Sequence, residues 1–350
     1  RMPRIYPKGT DRAGKPVLTI ADRMKKLGYL TGFSGKWHLG PSNSSNPKHD
    51  PRARGFDYYW TGSMESGSTN LTLDGKTVDH QNRNGLPQGI ANRVILQGKY
   101  GESFIDFSQT GGKPFFLYLP WSIPHAPLQD PASDPSTAFD AGPKSNTPEG
   151  REAFVRMVEY LDSRIGKIFQ TLKKQGQLDN TLIIFTSDNG GMLSGNCWPL
   201  KKSKQHLEEG GIRVPCLIQW PARIPAGTLS HQSSIMMDAS VTVLEATRAV
   251  QFVPKDRKLD GINLLPFLTS KAEVDPANRN FGWRRRDWGA GGNYLRQEAF
   301  RSGDWKLIRT YKYLRNKKWS AEHKDELFNL SDDLGETENL IEKMPGKYQE

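Results

Sequence analysis

Three stretches of strand length in this chain lack the polar–apolar alternation of a half-wet strand: Phe115 to Trp121 (FFLYLPW), Thr181 to Thr186 (TLIIFT) and Val214 to Trp220 (VPCLIQW). A strand with no polar side has no face to turn to water, so it belongs inside a sheet covered on both faces. The clearest helix of the sequence lies between the first two. Thr147 is suited to cap it and Pro148 to open it, and Phe154, Val158, Leu161, Ile165, Ile168 and Leu172 mark one apolar stripe before Gly176 ends it. A smaller unit precedes it: Ile20, Met24 and Leu27 share a helical face, Gly28 stops the helix, and Tyr29 to Ser34 reads as a strand. Buried strands separated by amphipathic helices predict an α/β fold, with a mostly parallel sheet sandwiched by helices.

The remaining segments are more polar. Residues 41–90 are rich in Ser, Asn, Gly and charge and read as a long loop region, and residues 270–295 read as loops rich in Asn, Arg and Gly. Gln297 to Arg301 and Trp305 to Arg309 flank Ser302-Gly303-Asp304, a hairpin signal, and Leu327 to Leu330 adds a further strand. The expected division is an α/β domain over 1–275 and a small C-terminal α+β subdomain with an antiparallel sheet over 276–350. With 35% hydrophobic and 25% charged residues in 350, the composition is globular and excludes a fibrous or disordered chain. The net charge of +11 favours polyanionic partners: nucleic acid, an anionic surface, or a sulfated or phosphorylated substrate. Two cysteines, Cys197 in a loop and Cys216 in an apolar run expected in the core, give neither a disulfide framework nor a zinc pattern. The longest apolar stretch, Pro114 to Trp121, is far short of the roughly 18 residues of a membrane span.

Four segments carry chemistry, and each also fits a plain structural role. Lys36 and His38 in GKWHLG follow a strand; in extended backbone they share a side, where a cation beside an imidazole orients an oxyanion or nucleophile. His125 in PHAP is fixed between prolines just beyond a strand's carboxyl end, where open α/β sheets bind ligands. Asp188 and Asn189 in SDNGG offer hard oxygens for Ca²⁺ or Mg²⁺, although the same residues are ordinary turn formers. Lys201, Lys202, Lys204 and His206 precede a Gly pair, and lysines there would clamp a tetrahedral anion or simply form a solvated loop.

In order and wording these segments resemble the sulfatase family of the alkaline-phosphatase-like superfamily. The resemblance runs through GKWHLG (35–40), PHAP (124–127), SDNGG (187–191), PLKKSKQHLEEGGIRVP (199–215), DGINLLPFL (260–268), FRSGDWKLI (300–308) and ELFNLSDDLGETENL (326–340). It implies hydrolysis of sulfate esters of a glycan or aryl substrate by a formylglycine made from the Cys or Ser of Cys/Ser-x-Pro-Ser-Arg. In that scheme Lys36 and His38 hold the formylglycine hydrate and help its proton transfers, His125 is the general acid or a sulfate ligand near the leaving oxygen, and Lys204 binds the sulfate. Asp188 and Asn189 then form the later half of a calcium site. The resemblance also implies a periplasmic, secreted or lysosomal setting.

One departure matters. No Cys/Ser-x-Pro-Ser-Arg occurs in the sequence, and Cys197-Trp198-Pro199-Leu200-Lys201 is not one. Arg1 to Arg4 is similar to the family segment shortly after that motif, so the chain is expected to be an N-terminally truncated member, without the nucleophile, the earlier paired aspartates and the first central strand, and inactive as it stands. The competing readings are a phosphodiester or phosphonate monoester hydrolase of the same superfamily and a non-catalytic protein that binds sulfated glycans. Nucleic-acid binding through Arg284-Arg285-Arg286 with Trp283 and Trp288 is set aside for want of a recognisable module, in favour of a loop that meets a sulfated sugar.

Overall fold

The computed structural model describes residues 17–37, 51–61, 71–73, 76–78, 93–131, 142–192, 194–269, 279–287, 295–313 and 319–350. They fall into two compact units, one within 1–181 and 237–263, the other within 182–236 and 264–350.

In the first unit, β1 (Leu30–Gly35) lies between β2 (Tyr58–Thr61) and β5 (Phe115–Tyr118), parallel to both, with Gly32 opposite Tyr58 and Leu117. Two short strands, β3 (Leu71–Leu73) and β4 (Lys76–Val78), extend the β2 edge antiparallel and give the order β4-β3-β2-β1-β5. Alternate residues pack on opposite faces. Leu30, Tyr58, Trp60, Phe115 and Leu117 meet Ile95, Tyr100 and Phe104 of α2 (Arg93–Thr110). On the other face Phe33 and Tyr59 pack with Ala21 of α1 (Ile20–Lys26), while Met24 of that helix packs with Leu244 of α5 (Met236–Ala246). The sheet is thus covered on both sides at β1, whereas β5 at its edge is half-buried rather than the buried strand expected, with Tyr118 50% exposed.

The local signals for two helices hold. Thr19 caps α1 through a reciprocal bond with Asp22, and Thr147 caps α3 (Pro148–Lys174) by accepting from the Gly150 N–H. The face that α3 buries follows the stripe read from its largest residues only in part. Leu172 is buried and Phe154 and Leu161 pack half-buried on the core, but Val158 is 41% exposed, and Ala153, Met157 and Arg164 beside the stripe are buried. Arg164 goes inward because it pairs with Glu102 of α2 and lies over the Tyr160 ring. The expected loop region 41–90 contains β2, β3 and β4; Tyr58-Tyr59-Trp60 is short and set among polar residues, but pairing with β1 buries Tyr59 and Trp60. The sequence reading also missed α2, whose Gly98 and Gly101 leave gaps in its apolar face. Those gaps take Arg164 and Leu119.

In the second unit, β6 (Ile183–Thr186) and β7 (Cys216–Gln219) pair antiparallel with Phe185 opposite Leu217. Neither is the fully buried strand expected. Phe185 is 37% and Leu217 61% exposed while Ile184 and Ile218 are half-buried, and Cys216 is exposed rather than in the core. A four-stranded antiparallel sheet follows: β8 (Asn280–Asp287), β9 (Leu295–Ser302), β10 (Trp305–Tyr313) and β11 (Trp319–Asn329), in the order β11-β10-β9-β8. The hairpin at Gly303-Asp304 pairs Trp305 with Ser302, as its turn residues indicate. Strand β8 replaces part of the loop expected over 270–295, because Phe281 and Trp283 give it an apolar face. Arg284 therefore projects from a strand, 3.0 Å from Glu298. Ala299, Ile308 and Phe328 pack on Leu207, so this sheet supports the loop ahead of β7.

Met157→Ala should destabilise the chain by about 2–5 kcal/mol, and Val158→Ala by less than about 0.5 kcal/mol. Urea unfolding of the two variants measures the difference.

Candidate active-site loops

The first unit places Lys36 and His125 on neighbouring strand ends. The Lys36 N–H donates to Pro120 O over 2.8 Å, tying the end of β1 to the segment after β5. Gly35 makes this approach possible: a Cβ there would lie 2.1 Å from Pro120 O, and its φ is +145°. Lys36 is half-buried, and its ammonium has no hydrogen bond or ion pair among the described residues. Trp37 anchors the next position, buried edge-on against Phe33 at 5.1 Å. His38 lies outside the described residues.

His125 is fixed by its backbone and its ring. Its N–H donates to Ser122 O over 2.8 Å, and Nδ1 lies 2.6 Å from Ala126 O. A carbonyl only accepts, so Nδ1 carries the hydrogen. Sequence reasoning missed the residue that holds this loop from behind. Gln97 of α2 is fully buried, accepts from the Ser122 N–H through Oε1 (2.9 Å) and donates to Ser122 Oγ through Nε2 (2.8 Å). Its carbonyl also accepts from Ser34 Oγ of β1 at 3.3 Å. One side chain and its own backbone thus brace both strand ends; a lone Gln in a helix gives no local signal of that.

The second unit joins the other two segments. Asp188 and Asn189 form the turn after β6, with Ser187 Oγ donating to Asn189 O (3.1 Å) and Asn189 Nδ2 donating to Gly190 O (2.9 Å). Backbone bonds stitch this turn to the lysine loop: the Gly190 N–H donates to Gly211 O (3.0 Å) and the Lys204 N–H to Gly191 O (2.8 Å). A Cβ at Gly190 would stand 1.8 Å from Gly210 O, so no other residue fits there. Of the three lysines, Lys201 is engaged in structure, its ammonium donating to Glu336 O (2.8 Å) and lying 4.9 Å over the Phe328 ring. The half-buried Lys204 ammonium has neither hydrogen bond nor ion pair among the described residues.

Beneath this loop is a buried ionic cluster. Lys306 of β10 lies 2.7 Å from Glu209 Oε1 and 2.8 Å from Glu336 Oε1. Glu209 opens α4 (Glu209–Ile212) and also accepts from Arg213 at 3.1 Å. Burial pushes the Glu209 carboxyl up, but Lys306 and Arg213 outweigh it and hold it below the usual glutamate range. Burial dominates at Glu336 and holds that carboxyl above it.

A family profile for sulfatases matches residues 3–249. The chain belongs to the sulfatase family. It is 34% identical over 310 residues to the uncharacterized sulfatase YdeN of Escherichia coli (strain K12), covering 80% of this chain and 52% of that protein. With human N-acetylgalactosamine-6-sulfatase it shares 32% over 283 residues, 73% of this chain and 49% of the relative. The chain spans about half the length of these curated relatives. Among solved structures it resembles Ps i-CgsB in complex with k-i-k-neocarrahexaose, at 27% identity and a TM-score of 0.71, covering 94% of this chain and 71% of that one. The sulfatase fold is therefore the α/β fold with a parallel sheet and a C-terminal four-stranded antiparallel sheet described above.

Two outcomes are expected. Gly190→Ala should destabilise the fold by roughly 1–3 kcal/mol, because the added methyl meets a carbonyl that the stitch itself holds in place. The acid limb of stability should depend on Glu209. Its folded value lies below the unfolded one, so its contribution is present above the ordinary glutamate value and is lost as pH falls through the lowered one. Melting temperatures between about pH 6 and pH 3 should fall less steeply in Glu209→Gln than in the parent chain.

Proposed function

We propose that this sulfatase chain recognises the sulfate ester of a carbohydrate and belongs to a sulfuric ester hydrolase. The observation that carries the reading is the Lys204 ammonium, half-buried, without a partner among the described residues, and stitched by its backbone to the Asp188–Asn189 turn. A partly desolvated cation without a counter-charge is a standing site for an anion. The net charge of +11 draws polyanionic substrates to the surface. The names of two relatives point to sugars: N-acetylgalactosamine-6-sulfatase, and a solved structure complexed with a neocarrahexaose.

The roles follow residue by residue. Lys204 offsets charge on the sulfate oxygens. Lys36, with His38 beside it in sequence, orients the attacking group and its protons. His125, with one hydrogen held on Nδ1 by Ala126 O, gives a second from Nε2 to the leaving oxygen as general acid when its ring is an imidazolium. Asp188 and Asn189 supply two hard oxygens where calcium takes six to eight. No group of three His, Cys, Asp or Glu suited to a metal occurs among the described residues. They do not by themselves make a calcium site, and no step is assigned to the ion. No Cys/Ser-x-Pro-Ser-Arg occurs in the sequence either, so this chain is expected to bind sulfate esters without turning them over. A periplasmic, secreted or lysosomal setting accords with such substrates; no described helix is long and apolar enough to cross a membrane.

Calorimetric titration with N-acetylgalactosamine 6-sulfate and with unsulfated N-acetylgalactosamine tests the reading. The sulfated sugar should bind at least about tenfold more tightly, and Lys204→Ala should remove most of that margin, as expected for one charge-assisted hydrogen bond. Release of sulfate from 4-nitrocatechol sulfate should be absent. Equal affinity for the two sugars would sink the proposal.

A further inference from the structure

Three segments of the sequence, the EEGG run, GDWK and GETENL, have no chemical role in the reading above. The structure brings one charged residue from each to a single buried point. Lys306 is 0% exposed, and its ammonium lies within 2.8 Å of both Glu209 and Glu336. Glu336, also 0% exposed, accepts from the Glu209 N–H through Oε2 at 2.6 Å. Its own carbonyl takes the Lys201 ammonium, and its backbone is left-handed at φ +53°. A second brace comes from β9. Buried Gln297 accepts from the Leu207 N–H (3.0 Å) and donates to Glu208 Oε2 (3.3 Å).

Both braces converge on the turn that carries Lys204. The Gly210 N–H donates to Lys201 O (2.9 Å), and Gly211 O accepts from Gly190, so the cluster fixes both ends of the lysine loop and its stitch to residues 187–191. Within the loop Lys202 (φ 66°) and Gln205 (φ 79°) are left-handed without being glycine. Such backbone persists only where its surroundings over-determine it. Stability alone does not account for the cluster, because buried ion groups exchanged together for apolar ones of like volume are often neutral or better.

We propose that Lys306 is a positioning residue for Lys204: through Glu209 and Glu336 it holds the strained loop in the one arrangement that presents the Lys204 ammonium beside the Asp188–Asn189 turn. This rests on the reading of Lys204 as the sulfate-binding lysine. The C-terminal sheet then shapes anion recognition without touching the anion.

The test uses the full chain, N-acetylgalactosamine 6-sulfate as probe, and the variants Lys306→Met, Lys306→Arg, Lys204→Ala and the Met/Ala double. Lys306→Met should weaken binding at least about fivefold, and Lys306→Arg should recover most of it. In the Lys204→Ala background Lys306→Met should add less than about twofold, the non-additivity of residues acting through one another. Hydrogen exchange should quicken at the amides of Gly190 and Lys204 while those of β9 and β10 stay protected. Unchanged affinity in Lys306→Met, full additivity in the double variant, or faster exchange throughout the sheet would each overturn the proposal. Should Lys306→Met fail to fold, Glu336→Gln keeps an acceptor for Glu209 and removes the charge facing Lys306. It too should weaken binding, and unchanged affinity there is equally fatal. A parent chain that does not discriminate sulfated from unsulfated sugar overturns the reading of Lys204 itself. One that discriminates, with Lys306→Met matching it, overturns only the role of Lys306.

Discussion

An ammonium group removed entirely from water must be answered by charge, and in the second unit Lys306 is answered by Glu209 and Glu336. The three residues lie far apart in sequence, so satisfying that one cation fixes the end of the lysine loop, a strand of the C-terminal sheet and the polar segment after it. Hydrophobic contact alone would be less selective. Leu207, Ala299, Ile308 and Phe328 pack in the same place, but apolar surfaces tolerate sliding and hydrogen-bonded charges do not. The backbone bonds from Gly190 to Gly211 and from Lys204 to Gly191 then tie the Asp188–Asn189 turn to that fixed geometry.

The first unit holds its candidate loops by neutral groups instead. Its sheet is held by aromatic packing on both faces, and its strand ends are aligned by neutral hydrogen bonds. Gln97 spends both ends of its amide on Ser122, and Lys36 meets Pro120 across a gap that only glycine leaves open. The two units share a pattern: the candidate side chains stand on short loops after strands, and buried polar groups one layer back hold those loops.

Much of this was legible locally. Thr147-Pro148 announced α3 because capping is a contact between near neighbours in sequence, and the Ile20, Met24 and Leu27 face with Gly28 announced α1, whose Thr19 cap the structure added. Gly303-Asp304 announced its hairpin for the same reason. The failures were of another kind. Strand β2 is three aromatic residues and a threonine that become a strand by pairing with β1 on one side and β3 on the other. The buried face of α3 takes in Arg164, which is outside the stripe of its largest residues, because Arg164 finds Glu102 on α2. Cys216 and Leu217 are apolar in composition yet exposed, because burial depends on what covers a strand.

The sequence by itself determined the family, the α/β class, and the residue types available for anion chemistry: Lys36, His125, Asp188, Asn189 and Lys204. Those follow from short motifs and local periodicity, which need only a few consecutive residues. What holds each lysine was decided by tertiary structure: the resemblance singled out Lys204, but only the fold shows that the Lys201 ammonium is committed to the Glu336 carbonyl. So too with Gln97 and Lys306, whose partners lie 25 and 97 residues away, at Ser122 and Glu209. A buried polar group acquires its meaning from the partner that satisfies it, and only the fold brings that partner within reach.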